Sequence, residues 1–379
     1  MGRLTDERMP APAGARNVSL DGIRGIAIAL VIFYHAFGDV TTTSHWEAPI
    51  VWAANSGWVG VDLFFVLSGY LITGILLQTR DRSGYFRIFY MRRFFRIFPL
   101  YYSYLFFLFL VARVHVKWRA VNLLWHVFYL SNVSMALHDS SALVSHLWSL
   151  SVEEQFYLVW PALILLVPRR HTIAVIGALF CLLVVIRQWF GMVSANNYVV
   201  YGILHLDGLL LGSALAVFHR SSPRLPRAAT AAWAVLLIAG GILFTEVFHN
   251  RGLIWWSWRG SQYLNYSLVA VAGVALVAAT VYSGAHSRIN HALTFRPLVA
   301  LGKYSYAMYI LQTPLDAEFR IFHVHQYGVT GAILYTILLG GASFVCALGT
   351  WKVLERPCLE LKERWFPYPS PATRRPVMA

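Results

Sequence analysis

Charged residues are scarce in this sequence. Asp, Glu, Lys and Arg make up 13% of the 379 residues, whereas apolar residues make up 58%. A soluble globular protein carries about 25% charged residues, so this chain has too few charges to cover a water-facing surface. The high apolar content excludes a disordered chain. The mean hydropathy of +0.56 indicates an integral membrane protein.

Acidic residues and cysteines are also few. The 17 acidic residues stand against 31 Lys and Arg, which gives a net charge of +14. The basic residues fall in short clusters between apolar stretches and form no DNA-reading motif, so we expect no nucleic-acid partner. The three cysteines are too few and too scattered for a disulfide framework or a zinc site, and we expect no bound metal. No cleavable signal peptide is visible before the first apolar run.

Apolar segments of about 20 residues are typical of membrane spans. The predicted spans are 22–38, 57–78, 88–111, 147–167, 171–191, 202–218, 228–248, 263–283, 297–316 and 328–353. With ten spans, 22 of the Lys and Arg residues fall on the side of the N-terminus and 7 on the other side. The positive-inside rule then places both termini in the cytoplasm.

The predicted fold is an all-α polytopic membrane protein with about ten transmembrane helices and no soluble domain. A membrane domain over 18–366 lies between cytoplasmic tails at 1–17 and 367–379. The apolar stretch 119–137 is a doubtful eleventh span. Counting it as a span would move the basic loops after it to the outer face, so we interpret 113–146 as an outer-face excursion, with a re-entrant segment as the alternative.

An arginine and a histidine lie eleven residues apart in the first span. Arg24 is close to the predicted cytoplasmic face, and His35 lies about 16.5 Å further along the helix, near mid-membrane. Eleven residues make almost three full turns, so both side chains face the same side. A neutral histidine at that depth is a candidate general base. The alternative is a histidine that is hydrogen-bonded within the helix bundle.

The second span carries Asp62 about one turn below the outer face. An ionisable group inside a span costs about 2.5–3.5 kcal/mol on insertion scales, so we expect it to face a cavity or a partner. Asp62 is a catalytic candidate that can orient His35 or bind an acceptor hydroxyl. The alternative is an acid that complements the helix dipole. Ser68 and Gly69 allow close helix approach, and Ser68 is a possible supporting residue.

Arginines cluster at the start of the third span. Arg93 and Arg96 are three residues apart, so they share one face of the helix at the cytoplasmic rim. Topology alone explains some basic residues there. Three arginines within 92–96 are more than the membrane topology requires. Guanidinium groups at this spacing suit a polyanionic phosphate ligand.

Adjacent carboxylates, Glu153 and Glu154, follow the start of the fourth span. Adjacent helical residues diverge by about 100°, so we expect one to face the interior and the other the rim. An acid-rich helix N-terminus is the alternative, and it explains one glutamate better than two. Glu153 is a catalytic candidate on the outer side, and Trp148 and Tyr157 are possible supporting residues.

Weaker signals occur later in the chain. Tyr304 and Ser305 start the ninth span and are possible supporting residues. Glu355 ends the tenth span at the cytoplasmic face, where it can pair with an arginine. Three tryptophans within 255–258 crowd an outer loop; an interfacial aromatic belt explains them, and sugar stacking is the alternative.

Four motifs together are recognisable: Arg24-x10-His35, the run 60–69, the run 93–99 and the run 148–157. In this order and spacing the chain resembles acyltransferase family 3 of bacterial membrane enzymes over about residues 18–365. The resemblance implies a multi-pass protein of the bacterial cytoplasmic membrane. It also implies transfer of an acyl group, often acetyl, from cytoplasmic acyl-CoA to a hydroxyl acceptor, with no permanently bound cofactor.

The resemblance also implies roles for particular residues. His35 corresponds to the catalytic histidine, Arg24, Arg93 and Arg96 to donor-side residues, and Glu153 to the motif acid. Family acceptors are mainly surface glycans, including O-antigen, exopolysaccharide and peptidoglycan, and some members acylate macrolides. A carbohydrate acceptor is therefore expected, with a macrolide as the alternative.

The sequence departs from the family pattern in two places. Many relatives have a histidine late in the ninth span, where this chain has Gln312, which can hydrogen-bond but not titrate. Some relatives carry a fused extracytoplasmic hydrolase-like domain, and we expect this chain to act without one. A competing class is a proton-coupled transporter or flippase, because intramembrane charges alone fit it equally well.

Overall fold

The computed structural model of the protein describes residues 17–38, 40, 42, 44–114, 123–137, 143–193, 197–223, 225, 227–253, 264–319 and 328–368. Within these ranges the secondary structure is helical and contains no strand. In chain order the α-helices are α1 (Val18–Phe37), α2 (Ala48–Asn55), α3 (Val59–Thr79), α4 (Tyr85–Val114), α5 (Leu123–Val127), α6 (Ser131–Ala136), α7 (Leu147–Leu166), α8 (Thr172–Val193), α9 (Asn197–Gly202), α10 (Asp207–Ser221), α11 (Ala228–His249), α12 (Leu264–Tyr282), α13 (Arg288–Leu293), α14 (Arg296–Phe319), α15 (Gly328–Thr350) and α16 (Arg356–Trp365). A 3₁₀ turn covers Arg169–His171, and a π-helical turn, Trp351–Glu355, joins α15 to α16.

Each of the ten predicted spans coincides with one of these helices. Seven helical segments are long and apolar enough to cross a membrane by length and composition: Val18–Phe37, Ala48–Thr79, Tyr85–Val111, Arg169–Val193, Ala228–His249, Leu264–Tyr282 and Gly328–Trp365. The other three predicted spans are α7, α10 and α14. α10 has 15 residues, which is about 22 Å of helix against a hydrocarbon core of about 30 Å. α7 and α14 carry charged side chains, which lower their hydropathy.

The stretch predicted as an outer-face excursion contains two short helices, α5 and α6. They have 5 and 6 residues, so each is less than about 10 Å long and too short to cross a membrane. Parts of this stretch, 115–122 and 138–142, lie outside the described residues. So do the tryptophan-rich loop at 255–258 and most of both tails.

Glycines bring two pairs of helices into backbone contact. Where α1 meets α14, a β-carbon on Gly302 would overlap the carbonyl oxygen of Asp21, and one on Gly25 would overlap that of Leu298. Where α3 meets α10, a β-carbon on Gly212 would overlap the carbonyl oxygen of Val66. Small residues at such crossings allow the close approach that drives helix association in lipid. These contacts fix the depth of α14 relative to α1 and of α10 relative to α3.

We expect Gly302→Ala to destabilise the bundle. Its new methyl group meets backbone rather than a flexible side chain, and overpacking of this kind costs about 1–3 kcal/mol. The measurement is thermal unfolding of the purified protein in detergent, followed by tryptophan fluorescence, and the midpoint should fall. Gly74→Ala is the matched control, because no described atom lies within 4 Å of its β-carbon position. Equal midpoints for both variants would contradict the role of this crossing.

Candidate active site

A cavity of about 130 Å³ opens where α1, α3, α4, α7 and α14 meet. This volume holds an acyl group or several waters. Its polar wall combines cationic, acidic and hydroxyl side chains: Arg24, Ser68, Arg93, Arg96, Ser149, Glu153, Glu154, Tyr157, Ser305, Tyr306 and Tyr309. Seven of the predicted site residues, from every one of the four motifs, therefore meet in one place.

The three arginines of the cavity are held in different ways. Arg24 donates to Asp21 at 2.9 Å, one turn back on α1. Arg96 lies 3.9 Å from Glu355, so Glu355 does contact an arginine, while the cytoplasmic side of this pair stays a prediction. The Arg24 and Arg96 side chains are each 34% exposed, and both line the cavity.

Arg93 is positioned by aromatic rings. Its guanidinium lies 5.4 Å from the ring centroid of Tyr157 and 6.0 Å from that of Phe89. Such cation–π contacts orient a guanidinium without neutralising its charge. The cavity therefore presents a positive wall that suits a polyanionic group such as a phosphate.

Glu153 accepts two hydrogen bonds across the cavity. Ser68 Oγ donates to its Oε1 at 2.8 Å, and Tyr157 donates to its Oε2 at 3.1 Å. We expected Glu153 on the outer side, apart from the arginines. The structure places it in the same cavity, because α7 carries it inward to the level of Ser68 in the middle of α3. The expectation that one of the two adjacent glutamates faces the rim is wrong, since both line the cavity.

His35 lies further along α1 and is not among the cavity-lining residues. Its Nδ1 is 2.8 Å from the carbonyl oxygen of Val31. A carbonyl only accepts, so Nδ1 carries the proton of the neutral imidazole and Nε2 carries the lone pair. His35 also interacts electrostatically with His146, at the start of α7. This tautomer is the one that a general base or a nucleophile needs at Nε2.

Asp62 lies outside the cavity. Its carboxylate is fully buried and bonds His205 Nε2 at 2.7 Å. Trp148 stacks on the ring of His205, with centroids 5.7 Å apart. Beside them Arg187 and Asp207 form a fully buried ion pair. Asp62 and Trp148 therefore both contact His205, on the α10 side of α3, and their candidate roles at the reaction centre stay predictions.

Of the three candidate residues on the ninth predicted span, one lines the cavity and two do not. Ser305 lines the cavity and donates to the carbonyl oxygen of Gly302 at 3.0 Å. Tyr304 instead packs against Phe344 and Trp351. Gln312 is fully buried.

Several cavity residues escaped the sequence analysis. Tyr306 donates to the carbonyl oxygen of Ile97 at 2.8 Å, and Tyr309 bonds Ser149 at 2.6 Å. A signal was present in the spacing, because Ser305 and Tyr309, and likewise Ser149 and Glu153, are four residues apart on one helix face. No group of three or more potential metal ligands occurs within the ranges that the structure describes.

The cavity and His35 lie in a helical chain whose described part has seven segments long and apolar enough to cross a membrane, which defines the class as a polytopic membrane protein. The sequence model of one family, described as an acyltransferase domain, matches residues 17–352. The chain therefore belongs to acyltransferase family 3, which confirms the resemblance drawn from the motifs.

Curated relatives agree with this assignment. The chain is 31% identical to the peptidoglycan O-acetyltransferase OatA of Listeria monocytogenes, over 89% of the chain and 55% of that protein. It is 32% identical to the putative peptidoglycan O-acetyltransferase YrhL of Bacillus subtilis, over 78% of the chain and 48% of that protein. The chain is 27% identical to the O-acetyltransferase OatA of Staphylococcus aureus, over 83% of the chain and 52% of that protein. The chain spans about half the length of these relatives. No solved structure matches it.

We expect Glu153→Gln to lower acetyl transfer by about 100-fold, the size typical of a lost acid–base or charge-positioning group. The amide keeps the shape and one acceptor oxygen but removes the charge between Ser68, Tyr157 and the arginines. The measurement is the acetyl-CoA-dependent transfer rate of purified protein. Glu360→Gln is the control, because Glu360 is exposed and pairs with Arg356 on α16. A rate equal to that of the control would rule out a role for the Glu153 charge.

Proposed function

We propose that this protein is a membrane O-acyltransferase that moves an acetyl group from cytoplasmic acetyl-CoA to a hydroxyl of a carbohydrate acceptor. Its setting is the bacterial cytoplasmic membrane, with ten spans and both termini in the cytoplasm. The observation that carries the proposal is the cavity in which Arg24, Arg93 and Arg96 face Glu153. Family membership supports the reaction class, and the names of the relatives, which are peptidoglycan O-acetyltransferases, support a glycan acceptor.

The three arginines are proposed to bind the donor. They lie on the predicted cytoplasmic halves of α1 and α4, where a polyanionic nucleotide can approach from water. Guanidinium groups make charge-assisted and often bidentate bonds to phosphate oxygens. Arg96 then exchanges its 3.9 Å contact with Glu355 for a phosphate, while the thin pantetheine arm extends between the helices toward His35.

His35 is proposed to carry the chemistry. As a general base, its Nε2 takes the proton of the acceptor hydroxyl while the hydroxyl oxygen attacks the thioester carbonyl. The new C–O bond forms, the C–S bond breaks, and the CoA sulfur leaves with the proton returned by the imidazolium. As a nucleophile, Nε2 attacks the thioester carbonyl, the C–S bond breaks and the CoA thiolate leaves; the acceptor hydroxyl oxygen then attacks the acetyl-imidazole carbonyl, the C–N bond breaks, and the hydroxyl proton passes to the thiolate through solvent. The Val31 carbonyl supports either route because it fixes the tautomer.

We expect His35→Ala to reduce CoA release from acetyl-CoA in the presence of acceptor to background. Neither route can proceed without the imidazole, and general-base loss alone costs about 10²–10⁴-fold. Thiol detection of released CoA measures the effect. Unchanged thermal unfolding serves as the control for folding. Activity near that of the wild type would remove His35 from the mechanism, and a trapped acetyl-histidine in the wild type would select the nucleophilic route.

We expect Arg93→Ala to weaken acetyl-CoA binding by about tenfold, the loss of one charge-assisted contact. The acceptor KM should stay unchanged, because the arginine faces the donor. Titration of the purified protein with acetyl-CoA measures the affinity at two salt concentrations. Arg356→Ala is the matched control, since Arg356 is exposed on α16 and pairs with Glu360. Equal donor affinity in both variants would contradict the phosphate role.

A further inference from the structure

Two buried side chains outward of the cavity have unmet hydrogen-bonding capacity. His146 is 5% exposed; one ring nitrogen is directed at the Ile310 backbone, and the other has no hydrogen-bond partner among the described residues. Gln312 is fully buried, and both polar atoms of its amide also lack a partner in that part of the chain. Buried polar groups are nearly always paired, so three such atoms in two neighbouring side chains indicate a ligand or solvent site.

Helix geometry places these side chains at the depth of His35. α1 and α14 cross at Gly25 and Gly302. His35 and Gln312 each lie ten residues beyond that crossing, which is about 15 Å along each helix. The two helices run in the same direction, because a β-carbon on Gly22 would overlap the carbonyl oxygen of Leu293, just before α14, and one on Gly25 that of Leu298 in the first turn of α14.

His146 and Gln312 face the same region. The ring of Tyr309 lies 5.8 Å from that of His146, measured between centroids, and Tyr309 donates to the His146 carbonyl oxygen at 2.9 Å. Gln312 follows Tyr309 by three residues and therefore shares its face of α14. Through Tyr309, this region is joined to the arginine-lined cavity, since Tyr309 also lines that cavity.

The chemistry of this region differs from that of the donor cavity. The charged or titratable groups that act on His146 are histidines, His35 and His126. His126 is itself bonded to Ser131 at 2.6 Å. An imidazole and an amide offer both donors and acceptors and no fixed charge. They suit a neutral ligand with several hydroxyl groups, whereas the three arginines suit a phosphate.

We propose that His146 and Gln312 bind the hydroxyl-bearing acceptor beside His35, so that this region is the acceptor half of the active site. The inference rests on the proposed function. The amide N–H of Gln312 donates to the reacting hydroxyl oxygen, whose own proton goes to His35 Nε2 as the oxygen attacks the thioester. His146 bonds a neighbouring hydroxyl of the same sugar. Both are acceptor-binding residues, and the expected substrate class is a neutral carbohydrate.

The test compares wild type, Gln312→Leu and His146→Asn as full-length proteins in detergent, with acetyl-CoA as donor and chitotetraose as acceptor. We expect each variant to raise the KM for chitotetraose by about tenfold, as for one lost hydrogen bond in a dry site. The acetyl-CoA dissociation constant should stay within about twofold of wild type. Tyr282→Phe is the control, because it removes another buried hydroxyl without a partner among the described residues, on the α12 side of the bundle.

A purely structural role predicts a different result. If nothing binds Gln312, replacing an unpaired buried amide by leucine removes a desolvation cost, so thermal stability rises and transfer is unchanged. That result would overturn the proposal. A loss of acetyl-CoA affinity with an unchanged acceptor KM would also overturn it, because the residues would then line the donor path.

A different result would show that the proposed function itself is wrong. Wild-type protein that binds acetyl-CoA but acetylates neither chitotetraose nor soluble muropeptides would refute the carbohydrate acceptor, and this inference would fall with it. Wild-type transfer to either glycan, with no change of KM in the two variants, would overturn the inference alone.

Discussion

A polar group inside a bilayer must find its partner within the protein, because lipid offers none. This constraint divides the buried polar residues into two sets. Arg187 with Asp207, and Asp62 with His205, are buried pairs that bond each other, although Asp62 Oδ2 and Arg187 Nε have no partner among the described residues. The second set comprises His146 and Gln312, whose polar atoms are only partly bonded within the described residues. In the proposed acceptor site, the hydroxyl groups of the bound sugar are the partners of these two side chains.

The two faces of α3 show how one helix serves both purposes. Asp62 and Ser68 are six residues apart, which is about 240° around the helix. Ser68 therefore bonds Glu153 in the cavity, while Asp62 bonds His205 beside α10. Phe65 contacts the rings of both Trp148 and His205. The structural pair lies directly behind the cavity wall and holds α3 against α10.

The cytoplasmic side of the cavity is supported by the end of the chain that the structure describes. The π-helical turn before α16 brings Glu355 to Arg96. Arg92 then binds both oxygens of Glu363, at 2.7 and 2.9 Å, and the carbonyl oxygen of Phe366 at 2.7 Å. α16 is therefore tied to the start of α4, next to Arg93 and Arg96. This arrangement fixes the arginines at the predicted entrance for a cytoplasmic donor.

The sequence by itself determined the membrane class, the helices and most of the charged site residues. Long apolar runs predict helices because lipid forces backbone groups to bond internally, and charges such as Arg93 and Glu153 are visible because they are costly in such runs. The tertiary structure decided which of these side chains meet. Asp62 bonds His205 outside the cavity, whereas Tyr306 and Tyr309 line it. Apolar side chains surround both lipid-facing and buried helices, so composition cannot reveal a helix's rotation or depth. Packing contacts such as Gly302 against Asp21 set both, and only they bring distant motifs together.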